Sequence, residues 1–343
     1  MRCLSAWNRS SVQVQCFVLD YECYNHRLFQ FGLVAAIVDG PARMRKSIRS
    51  GSVPRGWLAH LWREWTFESW RPIPPPFARP QPNEWRNDRL TAAWLGHSTV
   101  LINLFGVTIL TDPVLLRRIG MPLPFTAIGP KRLTQPALKI CELPAIDLIL
   151  LSHAHFDHLD WRTLRRFGGR SQVVTAHHTA DLLGWTSLSK ITELRWGESR
   201  EIQAPAGSLL VRAFPVKHWG ARLRTDHHRG YNGYVLERQG RRVIFAGDTA
   251  LTNSFAALHD DRSYDLAIMG IGAYQPWIRS HCNPEEAVAM ANAAGAQFIM
   301  PVHHQTFRLS YEPFREPIER FTTALADEPE RIALREIGQT FVL

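Results

Sequence analysis

Cysteine is scarce in this chain, with five residues among 343 and therefore an odd total. The cysteines show no paired spacing and no secretory signal precedes them, so we expect no disulfide framework and favour a reducing, cytoplasmic compartment. Long apolar runs are also missing. The longest early run, residues 28–38, is about half the roughly 20 residues that a membrane-spanning helix needs.

Histidine and aspartate, in contrast, are concentrated in one short string. Residues 153–160 read His-Ala-His-Phe-Asp-His-Leu-Asp and follow the apolar run 146–151, which is typical of a buried strand. On an extended chain His153 and His155 share a face, whereas Asp157 and His158 are adjacent and share one only if the chain turns. Asp160 before Trp161 suits a helix N-cap and favours such a turn. Imidazole and carboxylate are ligands that zinc accepts, so the string predicts a metal site.

Two metal ions would need more ligands than this string supplies, because each takes three or four protein groups and one acid usually bridges. Three other apolar, strand-like runs lead to suitable residues: 213–216 to His218, 243–247 to Asp248, and 298–302 to His303. In α/β sheets ligands gather beyond the carboxyl ends of strands. We therefore expect these residues to converge with the string.

With these motifs the chain resembles the metallo-β-lactamase superfamily. Within it the resemblance is strongest to the branch of N-acyl-phosphatidylethanolamine-hydrolysing phospholipase D, and the chain is also similar to bacterial ascorbate-6-phosphate lactonase. It spans roughly residues 90–343 and rests on stretches that occur in family order: 94–100, 110–113, 129–132, 142–144, 153–158, 245–249, 271–274, His281, 284–287, His303, Thr306 and Phe307.

The resemblance implies two zinc ions, with iron or manganese fitting the same ligands. One ion would be held by His153, His155, His218 and Asp248, and the other by Asp157, His158, the shared Asp248 and His303. A hydroxide between the ions would be the nucleophile, since zinc lowers the pKa of bound water to roughly 7. The catalytic residues implied are Asp157, Asp248 and His281, with His281 donating a hydrogen bond to the substrate.

Other polar residues near these stretches have structural explanations. Asn283 with Glu286 predicts a capped helix start. His97 is as well explained by a structural role as by substrate contact, and Asp112 is expected behind the ligands rather than among them. The spacing to Thr306 and Phe307 favours His303 over its neighbour His304 as the ligand. A solvated surface position is expected for the four remaining histidines considered: His177, His178, His227 and His228.

Composition divides the chain into three parts. We expect residues 1–43 to be an extension without ordered structure, residues 44–89 to be a basic, Trp- and Pro-rich segment that packs on the core, and residues 90–343 to be the catalytic domain. Residues 41–90 contain ten Lys and Arg and four Asp and Glu, which gives this segment a net charge of +6, compared with +9 for the whole chain. Such a segment could lie on an anionic membrane, but Trp57, Trp62 and Trp65 also suit a core-facing amphipathic helix, and packing on the core is favoured.

The expected fold is α/β, the four-layer αβ/βα sandwich of two mixed sheets with helices outside. Strands are predicted over 91–95, 99–104, 107–110, 146–151, 172–176, 209–214, 231–237 and 242–246, and helices over 285–294 and 316–326.

The favoured function is a zinc-dependent phosphodiesterase of the phospholipase D type, acting on a small-molecule or lipid substrate. Peripheral membrane contact through the basic segment is the less favoured alternative to packing of that segment on the core. The alternatives are a lactonase or other ester hydrolase acting on a small polar metabolite, and a nucleic-acid phosphodiesterase. The pI near 9.7 suggests the last of these. However, the charge lies mostly outside the catalytic domain and no RNA-binding motif accompanies it, so a nucleic-acid partner is disfavoured.

Overall fold

The structure is a computed structural model that describes residues 70–343 except Pro124 and Arg224. The predicted extension over 1–43, and residues 44–69 of the basic segment with the tryptophans discussed above, lie outside the described residues.

The described residues form two mixed sheets and a small hairpin. The first sheet has the order β15-β1-β2-β3-β6-β7-β8 and the second β14-β13-β12-β11-β10-β9, while β4 pairs with β5. The strands are β1 Leu90–Gly96, β2 Thr99–Leu104, β3 Val107–Thr111, β4 Met121–Pro122, β5 Ala127–Ile128, β6 Leu148–Leu151, β7 Gln172–Ala176, β8 Lys190–Leu194, β9 Ser199–Ala204, β10 Gly207–Phe214, β11 Gly233–Arg238, β12 Arg241–Phe245, β13 Tyr264–Gly270, β14 Ala296–Val302 and β15 Thr340–Val342.

Each sheet combines a parallel half with an antiparallel half. In the first sheet β3, β6, β7 and β8 run parallel, and in the second β12, β13 and β14 do so. Parallel strands bury both faces and therefore read as continuous apolar runs. This explains why the strand leading to the metal string is uniformly apolar.

Successive side chains of strand β12 point to opposite faces of the second sheet and belong to two different hydrophobic clusters. Val243 and Phe245 of β12 belong to a core cluster that contains residues of both sheets. The intervening Ile244 belongs instead to a second cluster with helix residues such as Ala287 and Phe321. The two faces of one strand thus bury against the opposite sheet and against helices, which is the predicted αβ/βα sandwich.

Three α-helices flank the sheets within the described ranges: α1 Trp161–Leu164, α2 Pro284–Ala294 and α3 Glu316–Ala324. Asp160 caps α1 by accepting from the backbone N–H groups of Arg162 and Thr163. Asn283 caps α2 and forms the reciprocal capping box with Glu286 that was predicted. Among residues 70–343, apart from the two positions noted, no helix combines the length and apolar character needed to cross a membrane.

The observed bounds differ by one or two residues from the predicted ones at eight of the ten predicted elements, and α3 ends at Ala324 rather than at residue 326. The strand predicted over 146–151 begins at Leu148, because Asp147 turns its carboxylate to the backbone N–H of Thr108 at 2.9 Å. The strand predicted from Tyr231 begins at Gly233, while Tyr231 forms an isolated bridge with His153. Strands β4, β5, β8, β9, β13 and β15 were not predicted. Strands β8 and β9 are partly exposed, and β4, β5 and β15 have only two or three residues each.

The proline-rich stretch from Pro72 to Pro80 runs outside helices and strands along the core, and a 3-10 helix follows at Pro82–Glu84. The Arg71 guanidinium donates to the carbonyl of Arg132 at 2.8 Å, and the Gln135 N–H donates to the carbonyl of Pro74 at 2.9 Å. The Ala78 N–H donates to the carbonyl of Ile337 at 3.2 Å. These contacts fit the stiff strap expected of a proline-rich stretch.

Candidate metal centre

Residues that follow the carboxyl ends of several strands meet at one edge of the two sheets. His153 comes two residues after β6, His303 directly after β14, and Asp248 three residues after β12. These side chains are almost completely buried. The carboxyl ends of strands from both sheets therefore supply the cluster, in agreement with the convergence predicted from the sequence.

The metal string turns immediately after its second histidine. The N–H of His158 donates to the carbonyl of His155 at 3.1 Å, and the N–H of Leu159 donates to the same carbonyl at 2.8 Å. Because the chain turns here, Asp157 and His158 both face the site although they are adjacent in sequence. The turn then leads into the cap of α1.

Three histidines form the first group of candidate ligands. The Nε2 atom of His153 lies 2.8 Å from Nδ1 of His155, and Nε2 of His218 lies 3.3 Å from that same Nδ1. His218 is oriented by its other nitrogen, Nδ1, which lies 2.8 Å from the carbonyl oxygen of Ser280. A carbonyl can only accept, so Nδ1 carries the proton and Nε2 is left as the acceptor that a metal needs.

The second group contains Asp157, His158 and His303. The Nε2 atoms of His158 and His303 lie 3.5 and 3.6 Å from Oδ2 of Asp157. His303 has a positive φ of 64°, a conformation uncommon for a residue with a side chain. Backbone strain of this kind is concentrated at functional sites, where the surrounding structure maintains it.

Asp248 lies between the two groups. Its Oδ2 atom is 3.1 Å from Nε2 of His158, 3.2 Å from Nε2 of His303 and 3.9 Å from Nε2 of His218. A single carboxylate therefore reaches histidines of both groups, which is the position of a bridging ligand. The seven residues predicted as ligands are brought together at one point.

The protonation equilibria of the first group favour metal binding. Burial lowers the pKa of His153 well below its usual range, that of His155 to about 3 and that of His218 to about 4. These imidazoles are neutral at pH 7, and neutral imidazole is the form that binds metal.

The second group has the opposite electrostatic character. Burial alone lowers the pKa of His303, but the carboxylates of Asp248 and Asp157 outweigh it and raise that pKa to about 9. The pKa of Asp248 stays well below its usual range despite burial, because His158 and His303 stabilise its charge. The carboxylates thus favour positive charge at this point, which is what a divalent cation provides.

Several buried polar atoms in this cluster lack a hydrogen-bond partner. They are Nε2 of His155, Oδ1 of Asp248 and Nδ1 of His303. The Nε2 atoms of His158 and His303 lie near Oδ2 of Asp248 but form no hydrogen bond with it. Unsatisfied buried polar atoms are costly and are rare in native proteins. Metal coordination would satisfy such atoms, and imidazole with carboxylate is a donor set that suits zinc, so the residues present fit the predicted pair of ions.

His281 and Trp219 lie at the margin of the cluster. The Nδ1 atom of His281 is 3.7 Å from Oδ2 of Asp248, and burial lowers the pKa of this histidine well below its usual range. The ring of Trp219 lies 4.3 Å from the ring of His218 and 4.6 Å from that of His155. Trp219 was not singled out from the sequence, although it follows His218 directly.

His97 belongs to the centre more closely than the sequence indicated. Its Nε2 atom lies 3.0 Å from Oδ2 of Asp157, and its ring is 4.1 Å from that of His303. The backbone carbonyl of His97 also accepts from the N–H of His303 at 3.0 Å. With Asp157, His158 and His303 it forms a four-residue group whose ligand atoms lie within 4.8 Å of one another. The sequence signals for His97 were its place in the family-like stretch 94–100 and its position after Gly96.

The remaining histidines lie elsewhere. His304 points away from the group and its ring packs 4.5 Å from that of Trp94. His178, His227 and His228 are exposed and His177 is partly exposed. None of these five belongs to a described group of candidate ligands, which agrees with the expectations for them.

Comparison with known proteins gives matches at three levels. Residues 107–304 match the family described as the beta-lactamase superfamily domain. The chain is 35% identical over 275 residues to Uncharacterized protein Rv0906 of Mycobacterium tuberculosis, covering 77% of this chain and 72% of that protein. It is 34% identical over 247 residues to N-acyl-phosphatidylethanolamine-hydrolyzing phospholipase D 1 of Caenorhabditis elegans, covering 67% of this chain and 68% of that one. The fold is similar to that of the metallo-beta-lactamase fold protein YhfI from Bacillus subtilis, with a TM-score of 0.51 and 15% identity over 74% of this chain and 99% of that chain.

Proposed function

The chain belongs to the metallo-β-lactamase superfamily and is a metal-dependent hydrolase of that superfamily, and from this premise we propose that it hydrolyses a phosphodiester of the N-acyl-phosphatidylethanolamine type. The observation that carries the proposal is the position of Asp248, whose Oδ2 atom lies within 3.9 Å of His158, His218 and His303. An acid in this position suits a centre of two metal ions.

The donor set favours zinc as the metal, and iron or manganese would fit the same ligands. In this proposal His153, His155, His218 and Asp248 hold one ion, and Asp157, His158, Asp248 and His303 hold the other. When bound, the ions would supply a hydroxide near neutral pH and stabilise negative charge on the phosphoryl oxygens.

The protein residues around the centre have distinct tasks in this reaction. His281 is neutral at pH 7 because burial lowers its pKa, so it is available to donate an N–H to a phosphoryl oxygen. Asp157 is held by His97 at 3.0 Å, which fixes the carboxylate that we assign to the second ion. In the reaction proposed, a water oxygen bonds to phosphorus and the bond from phosphorus to the ethanolamine oxygen breaks. The products are phosphatidic acid and an N-acylethanolamine.

Aromatic side chains beside the centre support an amphiphilic substrate. The partly buried ring of Trp219 lies 6.2 Å from that of His281, and the ring of Tyr231 lies 6.5 Å from that of His218. Apolar walls of this kind favour a substrate with acyl chains over a small sugar phosphate. The relative from Caenorhabditis elegans, whose name states this phosphodiester as its substrate, supports the same choice.

The proposal is tested with full-length protein purified without chelator. N-acyl-phosphatidylethanolamine in detergent micelles, a soluble phosphodiester, a lactone and single-stranded RNA are offered separately, and the products are identified by mass spectrometry. We expect phosphatidic acid and N-acylethanolamine, with one oxygen of labelled water incorporated into the phosphatidic acid.

Two outcomes would overturn the assignment. Ring opening of the lactone without cleavage of either phosphodiester would support the lactonase alternative. Cleavage of RNA at a rate above that of the lipid would support the nucleic-acid alternative instead.

A further inference from the structure

Large apolar side chains are exposed together on the hairpin of β4 and β5. Within residues 121–128, which we call the apolar hairpin, Phe125 is 97% exposed, Met121 51%, Ile128 46% and Leu123 39%. Single exposed hydrophobic residues are normal, but several within one small element indicate a surface that meets an apolar partner.

The apolar hairpin is held in a defined shape. The N–H of Leu123 donates to the carbonyl of Thr126 at 2.8 Å, and the N–H of Ile119 donates to the carbonyl of Pro130 at 3.1 Å. Gly120 has a φ of 113°, and a Cβ atom there would lie 2.1 Å from the carbonyl oxygen of Ile128. Glycine is therefore required at position 120, where the chain entering the hairpin passes close to the chain leaving it.

The base of the apolar hairpin is packed against the metal centre. Ile119 forms a buried cluster with Val114 and Phe307. The ring of Phe307 lies 5.3 Å from that of His97, which contacts Asp157. The base of the apolar hairpin is therefore connected through Phe307 and His97 to the second group of candidate ligands.

The surroundings of the apolar hairpin carry positive charge. No acidic residue occurs between Asp112 and Glu142, nor between Asp160 and Asp181. An Arg162 guanidinium N–H donates to the carbonyl of Phe125 at 3.4 Å, which places α1 beside the hairpin. Arg165 and Arg166 continue from there and are exposed.

We propose that the apolar hairpin and the arginines of residues 162–166 form a docking surface for an anionic lipid bilayer. Phe125, Leu123 and Met121 would enter the boundary between headgroups and acyl chains, while the guanidinium groups meet lipid phosphates. This inference rests on the proposed function, because N-acylation removes the amine charge of phosphatidylethanolamine and leaves a net negative substrate. Docking would bring such a lipid to the metal centre.

The test is cosedimentation of the full-length protein with vesicles of phosphatidylcholine, with and without phosphatidylglycerol, at low and high salt. We expect binding to the anionic vesicles that weakens with salt. Phe125→Ser should reduce partitioning about tenfold, which is the change that burial of one phenylalanine side chain produces. Arg165→Gln and Arg166→Gln should each reduce it about fivefold and weaken the salt dependence.

The matched control is Phe77→Ser, because Phe77 is also strongly exposed, at 71%, but lies outside the apolar hairpin. It should bind vesicles as the unaltered protein does. Equal binding by the Phe125→Ser and Phe77→Ser variants would overturn the proposal. So would a loss of binding on alteration of Trp57, Trp62 and Trp65 alone, since docking would then belong to the basic segment.

Hydrolysis of a soluble phosphodiester separates this inference from the proposed function. All the hairpin and arginine variants should retain that activity while losing turnover of vesicle-borne lipid. If the unaltered protein binds anionic vesicles through Phe125 but cleaves no phosphodiester, the function fails and the docking surface stands. Another outcome is that the unaltered protein cleaves the soluble substrate while Phe125→Ser lowers that cleavage as much as it lowers cleavage of vesicle-borne lipid. In that case the hairpin affects the metal centre itself, and the docking inference fails.

Discussion

Asp112 and His158 form a buried pair beneath the metal centre, with Nδ1 of His158 lying 2.7 Å from Oδ2 of Asp112. The same carboxylate accepts from the backbone N–H of Ser152 at 2.7 Å and from its hydroxyl at 2.5 Å. The Ser152 hydroxyl oxygen in turn lies 2.9 Å from Nδ1 of His153. One carboxylate behind the ligands therefore orients one histidine of each candidate group, directly and through a serine.

Replacement of Asp112 should weaken both proposed metal sites. Asp112→Asn keeps the size of the side chain but removes the charge that fixes the His158 tautomer, and such partners are worth about 10- to 100-fold in metal affinity. Competition with a chromophoric chelator measures that affinity. Asp260→Asn, which alters a surface partner of Arg242, is the control and should leave affinity unchanged. Unaltered affinity in Asp112→Asn would show that the pair does not act on the metal.

Asp248 is expected to be indispensable to the proposed centre. Asp248→Asn should lower hydrolysis by about a thousandfold or more, because the groups that hold both ions lose their shared ligand. Metal analysis should give close to two ions per chain for the unaltered protein and fewer for this variant. His227→Ala changes an exposed histidine and should match the unaltered protein in both measurements. A metal content near zero in the unaltered protein would contradict the two-ion proposal.

Replacement of His303 and replacement of its neighbour His304 should have different effects, the first on metal content and the second on stability. His303→Ala should lose metal from the second site, since its Nε2 faces Asp157 and Asp248. His304→Ala should keep its metal but lose about 2 kcal/mol of unfolding free energy, because its buried ring packs on Trp94. Metal content and urea denaturation distinguish the two results. The reverse pattern would mean that His304 is the ligand.

His97 should act on the second site through Asp157. His97→Phe retains a ring of similar shape but removes the Nε2 contact with Asp157 at 3.0 Å. We expect weaker binding of the second ion, with the first ion retained, and an altered absorption spectrum when cobalt replaces the native metal. If His97→Phe binds two ions with unchanged affinity, the contact is structural only.

The two described cysteines should differ in reactivity towards alkylating agents. Burial raises the pKa of the Cys282 thiol, so its thiolate is scarce at pH 8, whereas Cys141 is exposed. Peptide mapping after brief alkylation should find Cys141 modified and Cys282 intact until the protein unfolds. Because the folded pKa of Cys282 is raised, its contribution to stability is complete below the ordinary thiol pKa of 9.0 and declines above it. Rapid modification of Cys282 in the folded protein would contradict its burial.

Much of the fold could be predicted because strong local signals agree with the tertiary structure. β2 and β7 coincide with their predicted bounds, since both are mostly apolar runs of ordinary strand length that begin directly after a serine. Strand β9 was missed because only Ile202 of its six residues is buried, so it carries too little apolar alternation. The start of β6 was misjudged because the Asp147 contact with Thr108 joins residues far apart in sequence.

The sequence by itself determined the superfamily, the candidate ligands and the capped helix starts, because each depends on neighbouring residues or on short spacings. Only the tertiary structure decided that Asp112 serves two histidines, that His97 reaches Asp157, and that Phe125 remains exposed. The physical reason is that strand pairing and sheet packing join residues about 40 to 60 positions apart, such as Asp112 with His158 and His97 with Asp157. Contacts of that kind depend on register and on side-chain direction, which local patterns do not specify.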